Sequence, residues 1–125
     1  MRVMQEYLGY EDELTFKAAT GFGGGVGRMG DICGALTGGV MAIGLKYGRT
    51  LQEDEKSGPE TYALTEKFYG LFEQEMGSPT CYEIIKTDLR DPEARRRWVD
   101  QGGPQRCREL IKKTSRMVKQ VLEAN

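Results

Sequence analysis

The sequence predicts an all-α fold, a compact multi-helix single domain carrying one glycine-rich loop. Three observations lead there: apolar residues recur at three- and four-residue intervals, glycine and proline punctuate the segments between, and no alternating run of strand length appears. A chain of 125 residues suits one domain and can bury a core without disulfide staples.

The expected helices follow in order. Met1 to Leu8 carries Val3, Met4, Tyr7 and Leu8 at helical spacing, has no capping residue ahead of it, and stops at Gly9. It reads as the end of a longer helix. Glu11 to Thr20 is a second, short helix with Leu14, Phe16 and Ala18 among its candidates for burial. Gly21 to Gly30 is too glycine-rich for regular structure and is expected as a loop. Asp31 then caps a third helix reaching Tyr47, with Ile32, Ala35, Leu36, Gly39, Val40 and Ile43 in one stripe. Its glycines Gly34, Gly38, Gly39 and Gly44 each cost roughly 1 kcal/mol against alanine, so something is expected to press close to that backbone.

Gly48 to Gly58 is a polar connection whose Glu53, Asp54 and Glu55 read as solvated charges, as do Glu11, Asp12 and Glu13. Pro59 sits near the start of a fourth helix to Met76, with Leu64, Phe68, Leu71 and Phe72 facing inward and Gly77 ending it. Thr80-Cys81-Tyr82-Glu83 has the form of a capping box and opens a short helix to Leu89. Asp91-Pro92 opens another through Trp98. Gly102-Gly103-Pro104 opens the last, whose core stripe is Cys107, Leu110, Ile111, Thr114, Met117, Val118, Val121 and Leu122.

Composition narrows the function. The 18 basic and 19 acidic residues leave a formal net charge of -1, so no global field draws the chain to nucleic acid or membrane. Arg95, Arg96, Arg97, Arg106, Arg108, Lys112 and Lys113 bias the C-terminal end toward positive charge, but long basic side chains ordinarily cover helix exteriors, and nucleic-acid binding is not expected. There is no N-terminal signal pattern, and the longest mainly apolar run, Ile32 to Leu45, is too short and glycine-rich to span a bilayer. A cytoplasmic protein is expected. Histidine is absent, which excludes Ser/His/Asp and Cys/His catalysis and the commonest nitrogen ligand for metals.

Sulfur is what remains. In a reducing compartment three cysteines are core residues, metal ligands or redox thiols instead of a disulfide framework. Each lies in the opening turn or so of an expected helix: Cys33 after the cap Asp31, Cys81 after the cap Thr80, Cys107 just inside Pro104. Helix N-termini favour negative charge, so these positions suit thiolates of lowered pKa. The plain alternative is that a free cysteine packs as a small hydrophobe, and Cys107 does lie on an apolar stripe.

Gly25-Val26-Gly27-Arg28-Met29-Gly30 matches the dinucleotide-binding GxGxxG pattern, but the segment before it reads as helix where that motif needs a strand. No dinucleotide is expected. The loop is better read as a close-packed connection whose amides line an anion or cofactor, with Gly24, Gly25, Gly27 and Arg28 bordering it.

Gly21-Phe22-Gly23-Gly24-Gly25-Val26-Gly27-Arg28-Met29-Gly30, then Cys33-Gly34-Ala35-Leu36-Thr37-Gly38, Gly44-Leu45-Lys46-Tyr47-Gly48, Gly77 to Cys81 and a late Cys107 resemble the redox-active family labelled C_GCAxxG_C_C across nearly the whole chain. The resemblance implies a helical domain with cysteine-based redox or iron-sulfur chemistry, similar also to a domain of split-Soret cytochromes. Two departures bear on it. The local order here is Cys-Gly-Ala against Gly-Cys-Ala in the label, so the surrounding glycines align Cys33. The family also has a cysteine upstream of the glycine loop, and this chain has none before Cys33. With the uncapped start at Met1, the first part of the N-terminal helix is expected to be missing, and with it a fourth thiol.

The expectation is therefore a redox or electron-transfer protein in which Cys33, Cys81 and Cys107 converge on one site, with an iron-sulfur centre favoured over zinc. The alternatives are a metal-free thiol-disulfide protein using Cys33 or Cys81, and a non-enzymatic helical interaction domain. The residues do not decide whether the chain is an enzyme or name its redox partner. The exposed first helix makes a homodimer plausible.

Overall fold

The computed structural model describes residues 1–52 and 58–124, so the acidic run Glu53, Asp54 and Glu55 lies outside the described residues. Its helices are α1 (Arg2–Leu8), α2 (Glu13–Ala18), α3 (Gly34–Tyr47), α4 (Gly58–Met76), α5 (Cys81–Ile85), α6 (Pro92–Asp100) and α7 (Gly103–Glu123), with a 3-10 turn at Thr20–Phe22. Among the described residues the only extended pairing is a single antiparallel bridge between Ile32 and Thr80. None of these helices is long and apolar enough to cross a membrane.

The core forms where α3, α4 and α7 meet. Leu36, Ala42 and Ile43 of α3, Leu64, Phe68 and Phe72 of α4, and Val118, Val121 and Leu122 of α7 are buried together, joined by Met4 of α1. The Phe68 and Phe72 rings meet edge to face with centroids 6.4 Å apart. Gly39 explains how α3 comes so close: a β-carbon there would run into the Phe68 ring and Val118. The first turn is approached too, since a β-carbon on Gly34 would lie 3.0 Å from the Phe22 carbonyl oxygen, whereas nothing stands near Gly44, so the expected close approach holds along the first half of α3 and not at its end.

The stripe of α7 divides along its length. Thr114, Val118, Val121 and Leu122 are buried, whereas Cys107 and Leu110 are half-buried and Ile111 is exposed. The C-terminal half packs into the core, and the N-terminal half turns its apolar side chains to a cavity.

The N-terminal segments depart from expectation. In α1 the buried residues are Met4 and Gln5, while Val3 and Tyr7 remain exposed. Gln5 is tolerated inside because its amide donates to the carbonyls of Tyr10 and Asp12, at 3.3 and 2.9 Å. Tyr7 instead reaches α7, where its hydroxyl donates to Glu123 at 2.7 Å and Lys119 sits over its ring. The expected burial of Leu14, Phe16 and Ala18 fails: all three are exposed, Leu14 to 73 %. Helix α2 is held mainly by the Asp12 cap, which accepts from the Leu14 amide at 3.0 Å and the Thr15 hydroxyl at 2.6 Å, and it rests on the 3-10 turn and not on the core.

The caps of the later helices follow the sequence more closely. Thr80 accepts from the Glu83 amide at 3.4 Å to start α5, and Asp91 from the Glu93 amide at 3.0 Å to start α6. Helix α5 ends early, at Ile85 instead of Leu89, because Lys86 takes a left-handed conformation. Asp31 is not the cap of α3: its carboxylate accepts from the adjacent Ile32 amide, and Cys33 occupies the cap position.

Candidate functional site

The glycine stretch is not an irregular loop. From Gly24 through Arg28 every residue has a positive φ, between 58 and 69°, including Val26 and Arg28, which carry side chains. Left-handed backbone costs a side-chain-bearing residue about 1–2 kcal/mol, which is why glycine supplies most of this segment. The turn is closed by its own hydrogen bonds. The amides of Gly27, Arg28, Met29, Gly30 and Asp31 donate to the carbonyls of Gly21, Gly23, Val26, Gly24 and Gly25 at 2.9–3.2 Å. Those five amides are therefore engaged within the loop, which removes the expected amide-lined anion cradle over that stretch.

The loop's role is instead to hold two cysteine-bearing segments together. Immediately after it, residues 30–33 run antiparallel to residues 79–82: the Cys33 amide donates to the Pro79 carbonyl at 2.8 Å, Cys81 to Asp31 at 2.7 Å, and Tyr82 to Gly30 at 3.1 Å. Side chains alternate along such a ribbon, so Cys33 and Cys81, on either side of the Ile32–Thr80 bridge, point to the same face. Gly25 seals this arrangement from behind. A β-carbon on it would lie 2.6 Å from the Cβ of Cys81 and from the Asp31 carbonyl oxygen.

The face they share opens on a cavity of about 1080 Å³, and Cys107, from the second turn of α7, lies on its wall too. Gly24, Gly25, Gly27 and Arg28 border the same space. All three thiols are free, Cys81 buried and the other two half-buried. Among the described residues no group of three or more His, Cys, Asp or Glu is placed to hold a metal ion. The cysteines share a cavity without closing on a single point.

Burial, not the helix N-termini, dominates their ionisation. Desolvation pushes the Cys81 thiol up from an ordinary 9.0 to about 11, with Cys33 and Cys107 adding to the rise. Cys33 is raised by burial as well, although the amides of Ala35 and Leu36 oppose it. Cys107 is raised by burial and by Cys33, with Arg106 opposing. The lowered pKa expected of thiols at helix starts is not found: α5 is only five residues long, Cys107 lies beyond the first turn, and only Cys33 has cap amides aimed at it. That Cys81 feels both other thiols and Cys107 feels Cys33 reflects how near they lie.

A family model described as "Putative redox-active protein (C_GCAxxG_C_C)" matches residues 1–121. The chain belongs to this family. In C_GCAxxG_C_C terms, the structure gives the glycine run and the ordered cysteines one physical role, since the left-handed turn positions Cys81 and the ribbon aligns it with Cys33. No curated protein and no solved structure matches the chain.

Sequence reasoning passed over two side chains at this cavity. Arg95 and Arg108, read there as exterior charges, both line it. The adjacency of Arg108 to Cys107 was the available signal, but helical phase alone does not say where a cavity opens.

Proposed function

We propose that this protein is a cytoplasmic electron carrier in which Cys33, Cys81 and Cys107 bind an iron-sulfur cluster. The observation that carries the reading is that three thiols, one at the cap of α3, one in α5 and one in α7, far apart in sequence, border one cavity behind a glycine turn. Among the described residues no group is placed around a single ion, which favours a cluster over zinc, whose thiolate ligands all sit about 2.3 Å from one atom. A cluster distributes its thiolates over several irons and suits a wider spacing. The fit is three corners of the usual four, so the fourth ligand must come from outside these three cysteines. Ligation displaces the thiol protons, so the raised pKa values oppose it at neutral pH and cluster binding should strengthen as pH rises. A bound cluster would supply one-electron transfer; the chain's own part is to hold the sulfurs and exclude water from them.

A second reading is favoured by the ribbon that puts Cys33 and Cys81 on one face. There the two thiols give up two electrons and two protons to a disulfide-bearing partner, becoming a disulfide while the partner becomes two thiols. Anaerobic reconstitution with iron and sulfide separates the readings. Cluster binding predicts iron and acid-labile sulfide in the purified protein, lost in Cys33→Ser and in Cys81→Ser. Colourless, iron-free protein that forms a reversible Cys33–Cys81 disulfide would replace the first reading with the second.

A further inference from the structure

The cavity is larger than its thiols require. At about 1080 Å³ it matches the upper end of small-molecule sites, roughly 300–1,000 Å³, whereas thiolate ligation needs only a few ångströms around the sulfurs. Its lining is mainly apolar and includes Val99 and Ile111, which are 48 and 42 % exposed and gain from being covered. Its charged side chains are all of one sign. Arg28, Arg95 and Arg108 line it, and no aspartate or glutamate among the described residues does.

These arginines are not matched elsewhere. Arg28 and Arg108 form no ion pair among the described residues, and Arg95 donates one guanidinium N–H to the Leu89 carbonyl at 3.2 Å, leaving its other donors. A guanidinium fork beside an apolar wall recognises a carboxylate or phosphate attached to a hydrophobic body.

We propose that the cavity binds an amphipathic organic anion, its carboxylate or phosphate held by Arg95 and Arg108 and its apolar body lying against Trp98, Val99, Leu110 and Ile111. This site stands independently of any metal, because none of those groups is a thiol.

The test is a fluorescence titration of the full chain, thiols reduced, with 8-anilinonaphthalene-1-sulfonate and with its neutral counterpart N-phenyl-1-naphthylamine. Saturable binding of the sulfonate is expected, weakened about tenfold in Arg95→Gln/Arg108→Gln, with the neutral dye little changed. Decanoate and phenyl phosphate then compete for the bound sulfonate, and the better displacer identifies the head group. Inorganic phosphate, which has no apolar body, is expected to displace poorly. The proposal is overturned by equal sulfonate affinity in the variant, by parallel loss of both dyes, by failure of both organic displacers, or by displacement with inorganic phosphate as effective as with phenyl phosphate. Should loss of the Arg95–Leu89 bond unfold the double variant, Arg108→Gln alone carries the comparison, since Arg108 is exposed and forms no ion pair among the described residues.

Discussion

Gly25 and Cys81 are in van der Waals contact across the junction of the left-handed turn and α5, so close that a β-carbon on Gly25 would lie 2.6 Å from that of Cys81. Two segments more than fifty residues apart in sequence are thus locked in register by the absence of a side chain. The same residue has a φ of +68°, so any replacement meets both strain and a clash.

Gly25→Ala is accordingly expected to destabilise the fold by at least about 1–3 kcal/mol and to displace Cys81. Chemical denaturation gives the first quantity. Faster alkylation of Cys81 in the folded variant reports the second, and an unchanged rate with unchanged stability would refute the contact.

Gly39→Ala tests the core in the same way. A methyl group there meets the Phe68 ring and Val118, so a loss of about 1–3 kcal/mol is expected, whereas Gly44→Ala, with nothing near it, should stabilise α3 by about 0.5–1 kcal/mol. Thermal unfolding of the two variants side by side should move the midpoint in opposite directions.

The thiols should be sluggish at neutral pH. With Cys81 pushed up to about 11, its alkylation by iodoacetamide should rise about tenfold per pH unit from pH 7 and level off only near 11. The linkage has a definite sign: the folded state holds the proton more tightly than the unfolded state at 9.0, so Cys81 leaves stability unchanged below about pH 9 and lowers it as pH climbs from there to about 11. Mass spectrometry of the labelled protein across that range resolves Cys81 from the other two. A plateau near pH 7 would instead mean a low-pKa nucleophile.

Titration with NADH or FAD should give no saturable signal. The Gly25-x-Gly27-x-x-Gly30 pattern follows α2 and a 3-10 turn, and its amides from Gly27 to Asp31 are bonded within the loop, leaving no strand-turn-helix cradle for a pyrophosphate. Saturable binding abolished by a bulky residue at Gly27 would overturn this.

The later helices were legible because their signals are local. A cap such as Thr80 or Asp91, a proline one or two residues inside a helix, and the spacing of Leu64, Phe68 and Phe72 all act within a few turns, and the structure follows them. The first helices were less legible. Apolar Leu14 and Phe16 carry no information on whether a partner surface exists, and α2 has little of the core to lie against. Gln5 replaced an apolar residue inside because two carbonyls from the following connection happened to meet its amide, a contact that helical periodicity does not encode.

By itself, then, the sequence determined an all-α chain, most of its helix ends, the choice of sulfur as its distinctive chemistry and the need for glycine in one turn, since composition and local propensity act over short range. Only the tertiary structure decided that the glycines build a left-handed turn, that Cys33 and Cys81 share a ribbon face, that burial raises every thiol, and that Arg95 and Arg108 border the same cavity. These depend on which distant segments come into contact and what solvent they exclude, and both are settled by packing across the whole chain.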